Sequence, residues 1–219
     1  MRQIISQFIP YTFKMWLRKA YGYLIFTAGV LTGKRDSVLP PDWLPSVGGG
    51  DYKQIGSKFF RYFVDLAGLK PHERVLDVGC GTGRMARPLT EYFKGGSYDG
   101  IDIAAPSIKW CQKTFTRQYP NFRFHLTDIY NKAYNPNGVH QASEYRFPFE
   151  NSSFDFVLLI SVFTHMLPQG MENYLSEVAR VMDQGGRCFI TYFLLTPDSL
   201  KLIEEKASSF TFGYEFEGY

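Results

Sequence analysis

Three glycines stand on alternate positions, Gly79, Gly81 and Gly83, directly after an apolar stretch, Val75-Leu76-Asp77-Val78, that reads as a buried strand. Glycine loses more backbone freedom on folding than any other residue, so three within a few positions need a physical reason. The reason is a turn whose backbone adopts left-handed angles or closely approaches another group, in a strand–turn–helix unit of an α/β protein. Spacing narrows it. The dinucleotide fingerprint reads G-x-G-x-x-G. This run reads D-x-G-x-G-x-G, with Arg84 where the last fingerprint glycine would fall. A glycine-rich turn that holds no ligand is the plain alternative, and the rest of the chain must separate the two.

Apolar periodicity around the turn alternates between strand and helix. Strands are expected at Arg74–Val78, Gly96–Ile101, Phe122–Leu126, Phe154–Ile160 and Gly186–Leu194, and helices near Arg84–Phe93, Ala105–Gln118, Gln169–Met182 and Pro197–Ser208. A further helix begins at Tyr52, carries Ile55, Phe59, Phe63 and Val64 at helical spacing, and ends at Gly68 with Pro71 beyond it. This succession predicts an α/β fold, a doubly wound, mostly parallel Rossmann-like sheet with helices on both faces. Residues 51–219 form that domain. Residues 1–50 form a basic apolar arm and a linker, Val38–Asp51, rich in proline and glycine. Phe210, Phe212, Tyr214 and Phe216 alternate with polar residues as in one last strand. The C-terminal sheet edge is therefore expected to be incomplete, as in a truncated sequence or a reduced edge.

Composition sets outer bounds. A chain of 219 residues buries the core of one α/β domain with an appendage. Its three cysteines lack C-x-x-C spacing, so neither a zinc site nor a disulfide framework is expected, and their odd number fits a reducing compartment. Cys80, inside the turn, reads as a residue that packs rather than reacts. The net charge of +3 is uneven: residues 1–35 hold six basic residues and no acidic one, leaving 18 basic against 21 acidic residues elsewhere. A mildly acidic body argues against a nucleic-acid partner. The longest uncharged run of the arm, Ala20–Gly33, covers 14 residues, short of the roughly 20 that a membrane-crossing helix needs. The arm reads as an interfacial amphipathic helix, a helix packed on the body or a partner subunit, or a secretory signal. The first reading gives a cytoplasmic protein that is peripheral at a membrane surface through residues 1–35.

Further landmarks follow the turn in order. Gly100-Ile101-Asp102-Ile103 puts an acid at the end of the second strand, 19 residues beyond Gly83, and Thr127-Asp128-Ile129 follows the third. Phe147-Pro148-Phe149 precedes the fourth strand and Ser161-Val162-Phe163-Thr164-His165-Met166 follows it, while Val178-Ala179-Arg180-Val181-Met182 leads to Gly185-Gly186 before the fifth. Taken with the turn, the series resembles the class I S-adenosylmethionine-dependent methyltransferases from Gly68 to about Leu195. The resemblance implies S-adenosyl-L-methionine as cofactor. Gly79, Cys80, Gly81 and Gly83 would then close on its amino-acid part, and Asp77 would hold the ammonium end, often through water. Asp102 would accept hydrogen bonds from the ribose hydroxyls. Asp128 would accept from the adenine amino group, with Ile103 and Ile129 flanking the ring and Ser161 in the loop beside the transferring methyl. Alternatives stay open residue by residue: Asp102 as a helix cap, Asp128 in an Asx turn, His165 as a structural histidine that bonds backbone.

Methyl transfer from a sulfonium is an in-line displacement that needs alignment above all. A base is needed only where the acceptor must lose a proton, and His165, just past the fourth strand, is the best-placed candidate. The irregular insert Tyr130–Arg146, with His140, Glu144 and Tyr145, is expected to form a lid on the acceptor side, and Gly48–Tyr52 to fold over the cofactor. No N-P-P-[YF] run follows the fourth strand, no Pro-Cys pair is present, and no acid-rich metal cluster appears. Adenine-N6, cytosine-C5 and catechol-type chemistry are thereby disfavoured. The basic arm and an aromatic content of 17% favour a small-molecule or lipid-like acceptor. The competing reading is a noncatalytic domain of this fold that serves as a membrane-associated binding module.

Overall fold

The computed structural model describes residues 11–33, 35–41, 44 and 50–208. Five parallel strands, β1 (Arg74–Val78), β2 (Ser97–Asp102), β3 (Phe122–Leu126), β4 (Phe154–Leu159) and β5 (Met182–Ile190), form one open sheet in the order β3-β2-β1-β4-β5. The α-helices are α1 (Tyr11–Leu31), α2 (Tyr52–Asp65), α3 (Ala86–Tyr92), α4 (Ala105–Cys111), α5 (Pro168–Val181) and α6 (Pro197–Glu204). The chain order reverses at β1, whose neighbours are β2 and β4, so a crevice opens beyond the carboxyl ends of these strands. Register brings those ends level: Val78 lies opposite Ile101 on one side and Leu159 on the other.

Side-chain alternation along the strands divides the apolar residues between two cores. Val75, Tyr98, Phe124 and Phe156 face Phe63 of α2, Leu89 of α3 and Ile108 of α4. Leu76, Val78, Ile101 and Leu159 face the other way, toward Tyr174, Val178 and Val181 of α5. Full burial of each large apolar side chain contributes about 1.5–3 kcal/mol. α4 runs on into a π-helical turn, Gln112–Thr116, which carries the fully buried Phe115. Gly68 takes the expected left-handed conformation after α2, at φ 65°.

The crossover from β3 to β4, residues 127–153, holds no helix, only isolated bridges between Ile129 and His140 and between Asn131 and Asn135. The flank of β2 and β3 that a helix would cover is accordingly polar. There Arg123 donates to both oxygens of Asp99 at 2.9 and 2.6 Å, and His125 Nε2 lies 2.8 Å from Asp99 Oδ1. A cavity of about 680 Å³ opens on this flank beside Arg74, Arg146 and Phe149, away from the glycine turn.

Most element ends lie within a residue or two of expectation. The helix from Ala105 ends at Cys111 rather than Gln118 and that from Pro197 at Glu204 rather than Ser208, and three further differences have local reasons. The helix after the glycine turn starts at Ala86 rather than Arg84, because residues 81–85 are spent on turns. β5 starts at Met182, not Gly186, because Met182 already pairs with Phe154 ahead of an irregularity that contains Gly185 at φ 79°. It ends at Ile190, and Tyr192, Phe193, Leu194 and Leu195 are exposed. All strand pairings within the sheet are parallel, while the expected strand over Phe210–Phe216 lies outside the described residues, as do Gly48 and Gly49. No helix among the described residues is long and apolar enough to cross a membrane.

Candidate cofactor and acceptor site

The glycine turn is tied to the exit of β2. Gly79 and Cys80 both donate their N–H groups to Ile101 O, at 2.8 and 3.1 Å, and Gly83 donates to Cys80 O at 2.9 Å. All three glycines have positive φ: 81° at Gly79, 53° at Gly81 and 81° at Gly83. Their surroundings divide them. A Cβ on Gly79 would lie 2.6 Å from Val162, and one on Gly83 2.7 Å from Phe115, whereas one on Gly81 would meet nothing within 4 Å. Gly79 and Gly83 thus let the post-β4 loop and the π-turn pack on the backbone. Gly81 leaves an open cradle. Cys80 points its sulfur into the core, where a Cβ on Gly100 would come within 2.8 Å of it, so its contribution to the turn is backbone.

Beneath this cradle, Asp77 is 1% exposed and accepts a hydrogen bond from the Tyr98 hydroxyl. Burial pushes its carboxyl up to about 7, the Tyr98 bond opposes the rise, and the neighbouring charge of Asp102 adds to it. Asp102 sits at the rim. Its Oδ2 accepts Gly81 N–H at 2.7 Å and its Oδ1 accepts Ala104 N–H at 2.7 Å, so one carboxylate bridges the turn and the loop into α4. Burial raises its pKa while the backbone N–H groups of Ala104, Gly81 and Ile103 work against the rise. It makes no side-chain cap on α4, whose N-cap residue is Ala104. Each carboxylate oxygen keeps a second acceptor position, the capacity that two ribose hydroxyls require.

At the exit of β3, Thr127 N–H donates to Asp102 O at 3.0 Å and holds the next acid close to the same rim. Asp128 is exposed, with Asn135 Nδ2 3.3 Å from its Oδ1. The Asx turn in this loop belongs to Asn131 instead, whose Oδ1 accepts the N–H groups of Ala133 and Tyr134. Ile129 is buried in the core and Ile103 packs partly exposed against it, so Ile103 offers more surface to a flat ring. The open cradle at Gly81, the rim carboxylate of Asp102 and the exposed carboxylate of Asp128 form a donor and acceptor set that fits a nucleoside carrying an amino-acid tail.

The acceptor side is built from the loop after β4. Ser161 adopts φ 58° and its N–H donates to Thr191 Oγ1 at 2.8 Å, which fixes the loop to the end of β5. Two residues on, Phe163–His165 form a 3₁₀ turn, and the exposed His165 ring meets the Tyr134 ring edge-on at 5.6 Å. His165 therefore pairs across to the insert. The insert is strapped down: Tyr130 N–H and His140 O, and His140 N–H and Asp128 O, bond at 2.8 and 3.0 Å, and Asn173 Nδ2 of α5 donates to Ala142 O and Tyr145 O. Glu144 lies in the same strapped segment, and the His140 ring faces Tyr145. On the N-terminal side the Tyr52 hydroxyl donates to Thr82 O at 2.9 Å, and the Arg84 guanidinium lies 5.6 Å from the Tyr52 ring centre. The sequence marks the segment ending at Tyr52 and the insert, but carries no sign of the contacts through Tyr134, Thr191 and the Thr82 carbonyl. These pairs are 30 or so residues apart and carry no local signal.

The family model described as a methyltransferase domain matches residues 76–190, just over half the chain. Among curated proteins, phthiotriol/phenolphthiotriol dimycocerosates methyltransferase of Mycobacterium leprae is 34% identical over 136 residues, covering 62% of this chain and 41% of that protein. Fatty-acid O-methyltransferase of Mycolicibacterium smegmatis is 31% identical over 126 residues, covering 57% of this chain and 36% of that protein. The chain spans about two fifths of the length of these relatives. Among solved structures, the PH0226 protein of Pyrococcus horikoshii shares the fold at a TM-score of 0.53 and 20% identity, with 74% of this chain and 66% of that one covered. The [4+2]-cyclase SpnF shares it at 0.50 and 19%, with 67% and 48% covered. With a matching family model laid over the whole run from the central strand to β5, the chain belongs to the methyltransferase-domain family, in the class of the S-adenosylmethionine-dependent enzymes.

Proposed function

We propose that this chain binds S-adenosyl-L-methionine at the carboxyl ends of β1, β2 and β3 and transfers its methyl group to a lipid-like or other apolar small-molecule acceptor. One observation carries the reading: Asp102 grips Gly81 N–H at 2.7 Å where a side chain on Gly81 would meet only open space. A rim carboxylate beside bare backbone is what a ribose and an amino-acid tail need together. The names of the two curated relatives support an apolar acceptor. The bound donor supplies a sulfonium methyl open to in-line attack. The chain's own part is to align the acceptor, keep water out and take a proton where there is one to take. On a hydroxyl or ammonium acceptor, His165, whose ring is held against Tyr134, would take the proton that the acceptor must lose as it gains the methyl group.

Calorimetry with S-adenosylhomocysteine tests the first half: micromolar binding that Asp102→Ala weakens by about a hundredfold supports it, and no binding by the intact protein overturns it. A radiolabelled-methyl assay over fatty acids, long-chain alcohols and amines tests the second. His165→Ala should lower kcat by roughly a hundredfold on a hydroxyl or protonated amine acceptor and leave the S-adenosylhomocysteine affinity alone. An unchanged kcat on such acceptors removes His165 from the chemistry. Tight binding with no transfer to any acceptor favours the noncatalytic binding module instead.

A further inference from the structure

α1 is fastened to the body along one face. Phe26 meets Trp110 of α4 edge-on at 5.4 Å, and the Arg35 guanidinium lies 5.1 Å from the Phe26 ring centre. Beyond the helix the chain is secured again: Arg35 N–H donates to Gly29 O, Asp36 accepts from Arg87 Nε at 2.7 Å, and Val38 is buried in the core. Gly22, Phe26 and Gly29, which are half-buried, mark the inward side.

The opposite side is apolar and bare. Tyr21, Leu24, Ile25 and Leu31 are 68, 66, 54 and 81% exposed, and Ala28 between them is exposed as well. Positions 21, 24, 25, 28 and 31 follow helical spacing, so they make a single stripe rather than scattered surface residues. At about 1.5 Å per residue the stripe is about 15 Å long, half the thickness of a bilayer core of about 30 Å. It is suited to lie on a membrane and not to cross one. No charged residue falls within Ala20–Gly33, and the first 35 residues contain six basic and no acidic residues. That charge decides between occupants. A two-fold pairing of arms would bring like charges together across an isologous contact, whereas an anionic lipid surface attracts the same residues.

We propose that the outward stripe of α1, Tyr21-Leu24-Ile25-Ala28-Leu31, docks the protein on anionic lipid bilayers. The apolar side chains enter the boundary between headgroups and acyl chains, and the net positive charge of the N-terminal sequence supplies the attraction to lipid phosphates. This contact is separate from methyl transfer and does not depend on it.

Vesicle flotation with the full chain tests it, using phosphatidylcholine vesicles with and without 30% phosphatidylglycerol, a proportion of about a third chosen to give a clearly negative surface. Wild type should float with the anionic vesicles and be released at least severalfold by raised salt. The triple variant Leu24→Ser, Ile25→Ser, Leu31→Ser should bind at least tenfold more weakly. These side chains are exposed, so its S-adenosylhomocysteine affinity and melting temperature should match wild type, which separates lost docking from lost folding. Equal flotation of wild type and variant overturns the proposal, as does the absence of wild-type flotation. A concentration-dependent dimer in sedimentation that the triple variant abolishes assigns the stripe to a second copy and overturns it too.

Discussion

Asp77 on β1 and Asp99 on β2 are buried alike, at 1 and 3% exposure, yet they sit in opposite kinds of surroundings. Burial pushes the Asp99 carboxyl up, but the hydrogen bonds and charges of His125 and Arg123 overcome it and hold the group below the ordinary aspartate range. Asp77 has no such help. Its hydrogen-bond partner is the neutral hydroxyl of Tyr98, the charge beside it is that of another acid, Asp102, and its carboxyl rises to about 7. A buried carboxylate with its own cations is complete within the chain. One without a cation, next to the glycine turn, is left for a ligand to complete, and under the proposed function the ammonium end of the methyl donor supplies the missing charge. On that proposal the flank of the sheet is finished by folding, and the carboxyl end by binding.

The strongest way to break this contrast is by pH. Asp77 titrates near 3.8 in the unfolded chain and at about 7 when folded. Between those values the native state keeps a proton that the unfolded state has lost, so stability falls as pH rises from about 4 to about 7 and levels off above. At about 1.36 kcal/mol per unit the total fall is a little over 4 kcal/mol. Urea unfolding from pH 4.5 to 8 should show this slope in wild type and a much flatter one in Asp77→Asn, which mimics the protonated form. Asp99 contributes with the opposite sign: its folded pKa is depressed, so its stabilisation is present above the unfolded value and is lost only as pH falls below it. An Asp77→Asn profile parallel to wild type would end the distinction.

Next in size is the rim. Asp102→Ala should weaken S-adenosylhomocysteine binding by about a hundredfold, or about 2.7 kcal/mol, with little loss of stability, because the freed Gly81 and Ala104 N–H groups can turn to water. Asp99→Asn should do the reverse. It leaves the guanidinium of Arg123 and the His125 ring facing a weaker partner and should cost roughly 2 kcal/mol of folding stability, with ligand affinity within about twofold of wild type. Calorimetry and denaturant titration on both variants form a cross. If both lose affinity, or both lose stability, the flank and the rim are one system.

Much of this was legible in the sequence because strands and helices bury residues at fixed periods. The bounds of β1 and β3 are those expected, and the acid that ends β2 and the acid just past β3 are brought together by level strand ends. What was not legible depends on residues meeting across the chain. Periodicity says that His165 lies past a strand, but not that Tyr134 faces it. It marks Ser161 as a loop residue, but not that Thr191 holds its N–H. The roles of the three glycines are hidden for the same reason. Only Val162 and Phe115, more than 30 residues away in sequence from Gly83, show that two of them serve packing.

The smallest expected effect tests the contrast inside the turn itself. Gly81→Ala adds a methyl to open space at φ 53°, a left-handed angle that an alanine occupies at a cost of about 1–2 kcal/mol. Gly79→Ala carries the same kind of backbone cost and also drives its methyl to 2.6 Å from Val162. Stability should therefore fall by about 1 kcal/mol in Gly81→Ala and by clearly more in Gly79→Ala, with part of the latter recovered on adding Val162→Ala. Affinity should sort the other way per unit of lost stability: Gly81→Ala loses about tenfold in S-adenosylhomocysteine binding because its methyl occupies the cradle, while the relieved Gly79→Ala/Val162→Ala pair binds closer to wild type. If Gly81→Ala binds as wild type does, the space above Gly81 is not where the ligand lies. The bare backbone there would then be one more packing device, and the division between a flank finished by folding and an end finished by binding would have to be drawn at Asp102 alone.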